Sequence, residues 1–245
     1  MELKENERID DLQFKGLKII QNKNGFCFGI DAVLLSDFAK GIKPKATVVD
    51  FCTGTGIIPI LLSGKTAANK IYGIEIQEDV AEMAHRSVEM NELQEKIEIV
   101  NRDLNNIKDI ICAGSVDAVT VNPPYKKRGS GIINEKDTKT ISRHEISCTL
   151  EDIIKESARI LKSGGSMYMI HKSERLVDAL CSMRKEKIEP KRIRFIHPSI
   201  GQAPNLVLIE GVRSGGNFLK IENPLYVYDT EGNYTEEIKK IYGLL

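Results

Sequence analysis

The segment Val48-Val49-Asp50-Phe51-Cys52-Thr53-Gly54-Thr55-Gly56 constrains the fold more than any other stretch of this chain. An apolar run with an acid near its end passes into a glycine turn, and an apolar helix follows from Ile57 to Leu62. That order reads as the first β-turn-α unit of an open α/β sheet, a fold whose ligands lie beyond the carboxyl ends of the strands. Glycine at 54 and 56 lets the backbone approach a ligand closely. The dinucleotide fingerprint Gly-x-Gly-x-x-Gly is not met, because Pro59 stands where the third glycine belongs. Proline is tolerated in a first helical turn.

The remainder of the chain alternates in the same way. Strands are expected at 47–51, 70–75, 97–100, 116–121, 166–170, 191–196 and 205–211, with helices at 57–63, 78–91, 150–161 and 174–187. Such alternation gives a Rossmann-like, mostly parallel α/β sheet. Upstream, Leu17-Lys18-Ile19-Ile20, a turn at Asn24-Gly25 and Phe26-Cys27-Phe28 read as an N-terminal hairpin. Ala32 to Lys40 reads as a helix with Asp31 as its cap. For 245 residues one domain over 1–245 is expected, with the hairpin and first helix in 1–40 and the functional core in 41–245.

The acids at the strand ends suggest a ligand. Glu75 closes a strand 25 residues after Asp50, where a carboxylate can accept both hydroxyls of a ribose. Asp103 follows the next strand, where it can bond an adenine amino group. Any one of these acids could simply cap a helix. Asp50, Gly54, Gly56, Glu75 and Asp103 together describe a pocket for a nucleoside with a charged tail and no pyrophosphate, which S-adenosylmethionine fits.

The chemistry is carried by Asn122-Pro123-Pro124-Tyr125, at the end of the apolar run Val116 to Val121. The Asn carboxamide oxygen and the first Pro carbonyl are two acceptors, and the prolines fix the backbone so that they converge. They can hold both hydrogens of one planar amino group, while the Tyr ring offers a flat surface to a planar substrate. The lone pair of an adenine, guanine or amide NH2 is delocalised. Two acceptors push electron density back onto the nitrogen and stabilise the positive charge that grows as a methyl group arrives.

With these motifs in view, the chain resembles the class I S-adenosylmethionine-dependent methyltransferases of the Asn-Pro-Pro-Tyr amino-methylating group. Within it, the chain is most similar to the bacterial tRNA(Val) adenine-N6 methyltransferases. The narrower likeness rests on Phe28-Gly29-Ile30-Asp31-Ala32-Val33-Leu34-Leu35 and on Ser142-Arg143-His144-Glu145, and the match runs from about Leu12 to the end. The resemblance implies a seven-stranded sheet with an antiparallel final hairpin. It also implies that Gly54 and Gly56 line the methionine part with Asp50 supporting the loop, and that Thr53, Thr55 and Ile76 lie beside them. Glu75 should hold the ribose, Asp103 and Leu104 should meet the adenine, and Phe28 and Asp31 should close over the cofactor's tail. Asn122 also borders the cofactor. Lys126, Lys127, Arg128, Arg143 and His144 should face the RNA, whose adenosine 3′ to the anticodon must unstack to reach Tyr125. One departure is that Cys52, Thr53 and Thr55 stand where related loops are often small or Gly.

Charge and cysteine usage are compatible with this reading. The net charge is zero, but 126–143 and 184–194 each carry six basic residues against two acids. Five scattered cysteines (27, 52, 112, 148, 181) read as reduced thiols of a cytoplasmic protein. The histidines at 85, 144, 171 and 197 lack metal-ligand spacing, so no metal is expected and each reads as a surface or packing residue. No apolar run of membrane-spanning length occurs. Oligomeric state is open, with a monomer as the default. The same tetrad also suits glutamine-amide methylation of a translation release factor, guanine-N2 methylation of rRNA or DNA adenine methylation. A binding module that keeps the fold without turnover is a further alternative.

Overall fold

The computed structural model describes residues 3–24, 29–124 and 148–245. Two antiparallel strands, β1 (Glu7–Asp11) and β2 (Lys18–Asn22), precede helix α1 (Ile30–Phe38). The alternating part follows: β3 (Thr47–Phe51), α2 (Ile57–Lys65), β4 (Lys70–Glu75), α3 (Glu78–Met90), β5 (Ile97–Asn101) and β6 (Val116–Val121). After the tetrad come α4 (Leu150–Ile160), β7 (Leu161–Lys172), α5 (Leu176–Lys185), β8 (Ile188–Ser199) and β9 (Leu206–Arg213). Short strands β10 (Lys220–Ile221) and β11 (Leu225–Tyr228) and helix α6 (Glu236–Ile241) close the chain.

The main sheet runs β10-β8-β9-β7-β6-β3-β4-β5, with β11 also on β8. Only β9 is antiparallel to its neighbours, pairing β7 on one side and β8 on the other. The seven expected strands are all present. The structure adds β10 and β11 on the outer edge of β8, so among the described residues the sheet has nine strands rather than seven. The chain builds outward from β3 to β4 and β5, then returns to lay β6 on the other side of β3. That reversal opens a crevice at the carboxyl ends of β3 and β6, the place where open α/β sheets bind ligands.

Both faces of the sheet are covered, so its strands are apolar on both sides. Val48 and Ala118 face a core with α1, α2 and α3, while Val49, Phe51, Val119 and Val121 face one with α4 and α5. Burying each such aliphatic side chain contributes about 1.5–3 kcal/mol. Helix α4 starts on a capping box in which Thr149 and Asp152 satisfy each other's backbone N–H groups.

The N-terminal hairpin differs from the sequence reading. Lys18–Asn22 pairs with the preceding Glu7–Asp11; Phe26-Cys27-Phe28, the partner expected from the sequence, lies outside the described residues. The connection turns through left-handed backbone at Gln13, Lys15 and Gly16. The β1–β2 pairing brings Glu7 to Arg86 on α3 (Nη1 to Oε2, 2.7 Å), and Ile19 and Ile20 are fully buried. Ser87 Oγ accepts the Ile20 N–H at 3.0 Å, joining the hairpin to α3. The first helix also starts earlier than expected. Gly29, not Asp31, is its cap, which puts Asp31 inside the first turn.

Candidate active site

The β3 and β6 ends carry the two motifs side by side. Phe51 pairs with Val121, so the glycine loop and the Asn-Pro-Pro segment leave adjacent parallel strands at the same level. One step earlier Asp50 pairs with Thr120, and the Thr120 hydroxyl donates to Asp50 Oδ1 at 2.6 Å. Asp50 is fully buried, and burial pushes its carboxyl up to about 7 against the pull of the Thr120 and Thr53 hydroxyls. The Thr53 hydroxyl lies near Asp50 without full hydrogen-bond geometry, so Asp50 Oδ2 and Thr53 Oγ1 are buried polar atoms without a hydrogen-bond partner.

Above Asp50 the chain turns sharply. Cys52, Gly54 and Gly56 have φ of 56°, 58° and 85°. A side chain at Cys52 makes that conformation costly by roughly 1–2 kcal/mol. Gly54 has nothing within 4 Å of where a Cβ would sit, so its glycine answers to backbone conformation and leaves open space above the loop. Gly56 is left-handed too, and a Cβ there would also sit in van der Waals contact with Ala84 on α3 at 3.4 Å.

Glu75 is buried at the end of β4. Its Oε2 accepts the Gly54 N–H at 2.9 Å and its Oε1 accepts the Gln77 N–H at 3.0 Å, so the carboxylate ties the glycine loop to its neighbour strand. A carboxylate has about four acceptor positions, which leaves capacity for ribose hydroxyls. Beside it Ile76 is 42% exposed, a large apolar side chain at the cleft mouth, while Leu104 is buried. Asp103 caps the short helical turn at Leu104–Asn106 through the Asn105 N–H at 2.9 Å, so a capping role is realised there.

Asn122 and Asp31 meet across the crevice. Asn122 Nδ2 donates to Asp31 Oδ2 at 2.9 Å, linking the tetrad to the first turn of α1. Pro123 is buried and Pro124 exposed. Tyr125, Lys126, Lys127, Arg128, Arg143, His144 and Phe28 lie outside the described residues. Cys148 lies beside Cys52, and its thiol together with burial pushes the Cys52 thiol up.

His171 reads from the sequence as a packing or surface residue, and the structure buries it on β7. His171 pairs with Val207 of β9 near the end of β7. It is buried, desolvation lowers its pKa to about 4, and its Nδ1 accepts the Lys172 N–H at 2.8 Å. The neutral ring therefore carries its proton on Nε2.

The β3–β6 register and the hydrogen bonds thus bring Asp50, Gly54 and Glu75 together at the glycine loop, and Asp31 and Asn122 together beyond β6. An open glycine loop, an exposed Ile and buried acids with spare acceptor positions suit a nucleoside with a charged tail. Among the described residues, no group of three or more His, Cys, Asp and Glu side chains gathers to hold a metal. No helix among them is long and apolar enough to cross a membrane.

The family model of the methyltransferase small domain matches residues 30–186. The chain belongs to this family of methyltransferase small domains. A tRNA1(Val) (adenine(37)-N6)-methyltransferase of Porphyromonas gingivalis is 26% identical over 207 residues, covering 82% of this chain and 80% of the relative. The enzyme of that name from Tolumonas auensis is 24% identical over 233 residues, 91% of each chain. Among solved structures, a predicted O-methyltransferase from Agrobacterium tumefaciens superposes with a TM-score of 0.69 at 19% identity, covering 87% of this chain and 95% of that one. TYW2 of M. jannaschii, solved with AdoMet, gives 0.58 at 14% identity, over 86% and 87% of the two chains. At these identities the structural likeness speaks for the methyltransferase fold, which the crevice of this domain shares.

Proposed function

We propose that this chain transfers the methyl group of S-adenosylmethionine to the exocyclic N6 amino group of an adenosine in tRNA, the one 3′ to the anticodon of tRNA(Val), in the cytoplasm. The observation that carries the proposal is the register of β3 against β6, which sets Asn122 one residue beyond the Phe51–Val121 pair and beside the glycine loop. Relatives bearing the tRNA1(Val) name over most of their length support the choice of RNA.

The cofactor supplies an electrophilic methyl on a positively charged sulfur. The chain's own residues do the rest. Glu75 and Asp103 accept from ribose and adenine, with Ile76 and Leu104 against the ring, and the Thr53–Gly56 turn bounds the methionine tail. Asn122 Oδ1 and the Pro123 carbonyl accept the two hydrogens of the target amine, which orients its lone pair and offsets the charge that develops on it. Tyr125 stacks on the flipped base, and Lys126, Lys127, Arg128, Arg143 and His144 meet the RNA backbone, making binding salt-dependent. The rate enhancement comes from positioning and electrostatics, and no side chain needs to titrate.

Purified protein incubated with methyl-labelled S-adenosylmethionine and tRNA lacking the modification should yield labelled N6-methyladenosine after digestion to nucleosides. Label found solely in a release-factor control would move the reaction to a protein amide.

A further inference from the structure

We propose that Asp31 is a positioning residue for the amino-methylation reaction: it fixes which way round the Asn122 carboxamide sits. This rests on the reading of Asn122 as an acceptor for the target amine. A carboxylate accepts hydrogen bonds and does not donate them. At 2.9 Å from Asp31 Oδ2, the Asn122 side chain must therefore present its nitrogen to Asp31 and turn its oxygen the other way. Without that constraint an Asn amide can flip, and the flipped form would point a donor at an amine that already carries two hydrogens.

The chain builds this carboxylate into place. Asp31 lies in the first turn of α1 and is 7% exposed. Its Oδ1 accepts the Ala32 N–H at 3.1 Å, which leaves Oδ2 directed at Asn122. A helix N-terminus favours negative charge there. Gly29 completes the arrangement. Its φ of −99° is open to any residue, so backbone conformation does not require a glycine. A Cβ at 29 would instead come within 2.6 Å of Asp31 Oδ1, with no other non-adjacent residue inside 4 Å among the described residues. The absence of a side chain at 29 leaves room for the carboxylate's rotamer. The two partners are 91 residues apart, so the pairing couples α1 to the tetrad across the crevice.

The test is a set of variants assayed for methyl transfer to tRNA, with cofactor affinity measured separately by calorimetry. Asp31→Ala is expected to lower kcat by about 10- to 100-fold, on the scale of one hydrogen bond to a charged group. Cofactor Kd and tRNA KM should stay within about threefold. Gly29→Ala, which removes no functional group, should lower kcat in the same direction. The decisive pair is Asn122→Asp with and without Asp31→Asn. Alone, Asn122→Asp sets two carboxylates against each other and should be inactive. With Asp31→Asn, the polarity of the bond is reversed, an oxygen again faces the amine, and activity should recover at least tenfold over the single variant. A merely structural Asp31 would give no such recovery. An Asp31→Ala enzyme with unchanged kcat and weakened cofactor binding would overturn the proposal in favour of a cofactor contact alone. If the wild-type protein methylates no tRNA, the functional reading fails instead. Asp31 is then judged by NMR of the Asn122 side-chain NH2: exchange protection lost in Asp31→Ala supports the positioning role, and protection unchanged refutes it.

Discussion

Replacing Asp50 by Asn tests how the crevice is built from beneath. The Asp50 carboxyl is fully buried, holds one Thr120 hydroxyl and is pushed up to about 7 by desolvation. Its usual value in an unfolded chain is near 3.8. Because the folded value is the higher one, the folded state binds the proton more tightly. The associated stability is present in full below the unfolded value and is lost as pH rises through about 7. A separation of about three units amounts to about 4 kcal/mol, of which about 2.5 kcal/mol falls between pH 5 and pH 8. Asparagine has nearly the same shape, keeps an acceptor for Thr120 and carries no charge. Urea unfolding of wild type and Asp50→Asn at pH 5 and pH 8 should therefore show the variant gaining about 2.5 kcal/mol relative to wild type at the higher pH. In thermal scans the same difference is about 5–10 °C. Parallel stability curves for the two proteins across this range would refute the argument, because an ionised, solvated Asp50 would produce no such divergence.

Other outcomes follow from the same geometry. Asn122→Ala should abolish methyl transfer while cofactor affinity stays within about tenfold, since the lost acceptor acts on the amine and its charge in the transition state. Glu75→Ala should weaken cofactor binding by about 1–3 kcal/mol in calorimetry, because the change removes an acceptor and also unties the Gly54 N–H. His171 is held neutral by burial, with its value lowered from 6.5 to about 4, so its contribution is present above 6.5 and lost as pH falls through that window. Wild type should accordingly lose stability between pH 6.5 and pH 4 relative to His171→Phe, as read by urea midpoints at several pH values.

The parts of this molecule legible in its sequence were those with strong local signals. Strand β3, its glycine turn and α2 follow from an apolar run, two glycines and a second apolar run in direct succession, and β3 spans 47–51 as expected. The parts missed depend on distant partners or weak composition. Glu7–Asp11 reads Glu-Arg-Ile-Asp-Asp, without the β-branched and aromatic residues that mark strands, and it pairs because Arg86 and Ser87 wait on α3. Strand β10 has two residues and β11 four, too short for an alternating pattern to declare itself. In the site, Asp50, Glu75 and Asp103 announced themselves by strand-end position. The hydrogen bond that selects the Asn122 amide orientation could not, because its partners lie 91 residues apart.

The central claim is that Asn122 and its neighbours alkylate one adenine amino group beside the anticodon. A tRNA(Val) transcript and the same transcript with the adenosine 3′ to the anticodon replaced by guanosine would be offered to the enzyme with labelled S-adenosylmethionine. The account predicts label as N6-methyladenosine in the first and none in the second; equal labelling of both, or label in neither while another acceptor is methylated, would contradict it.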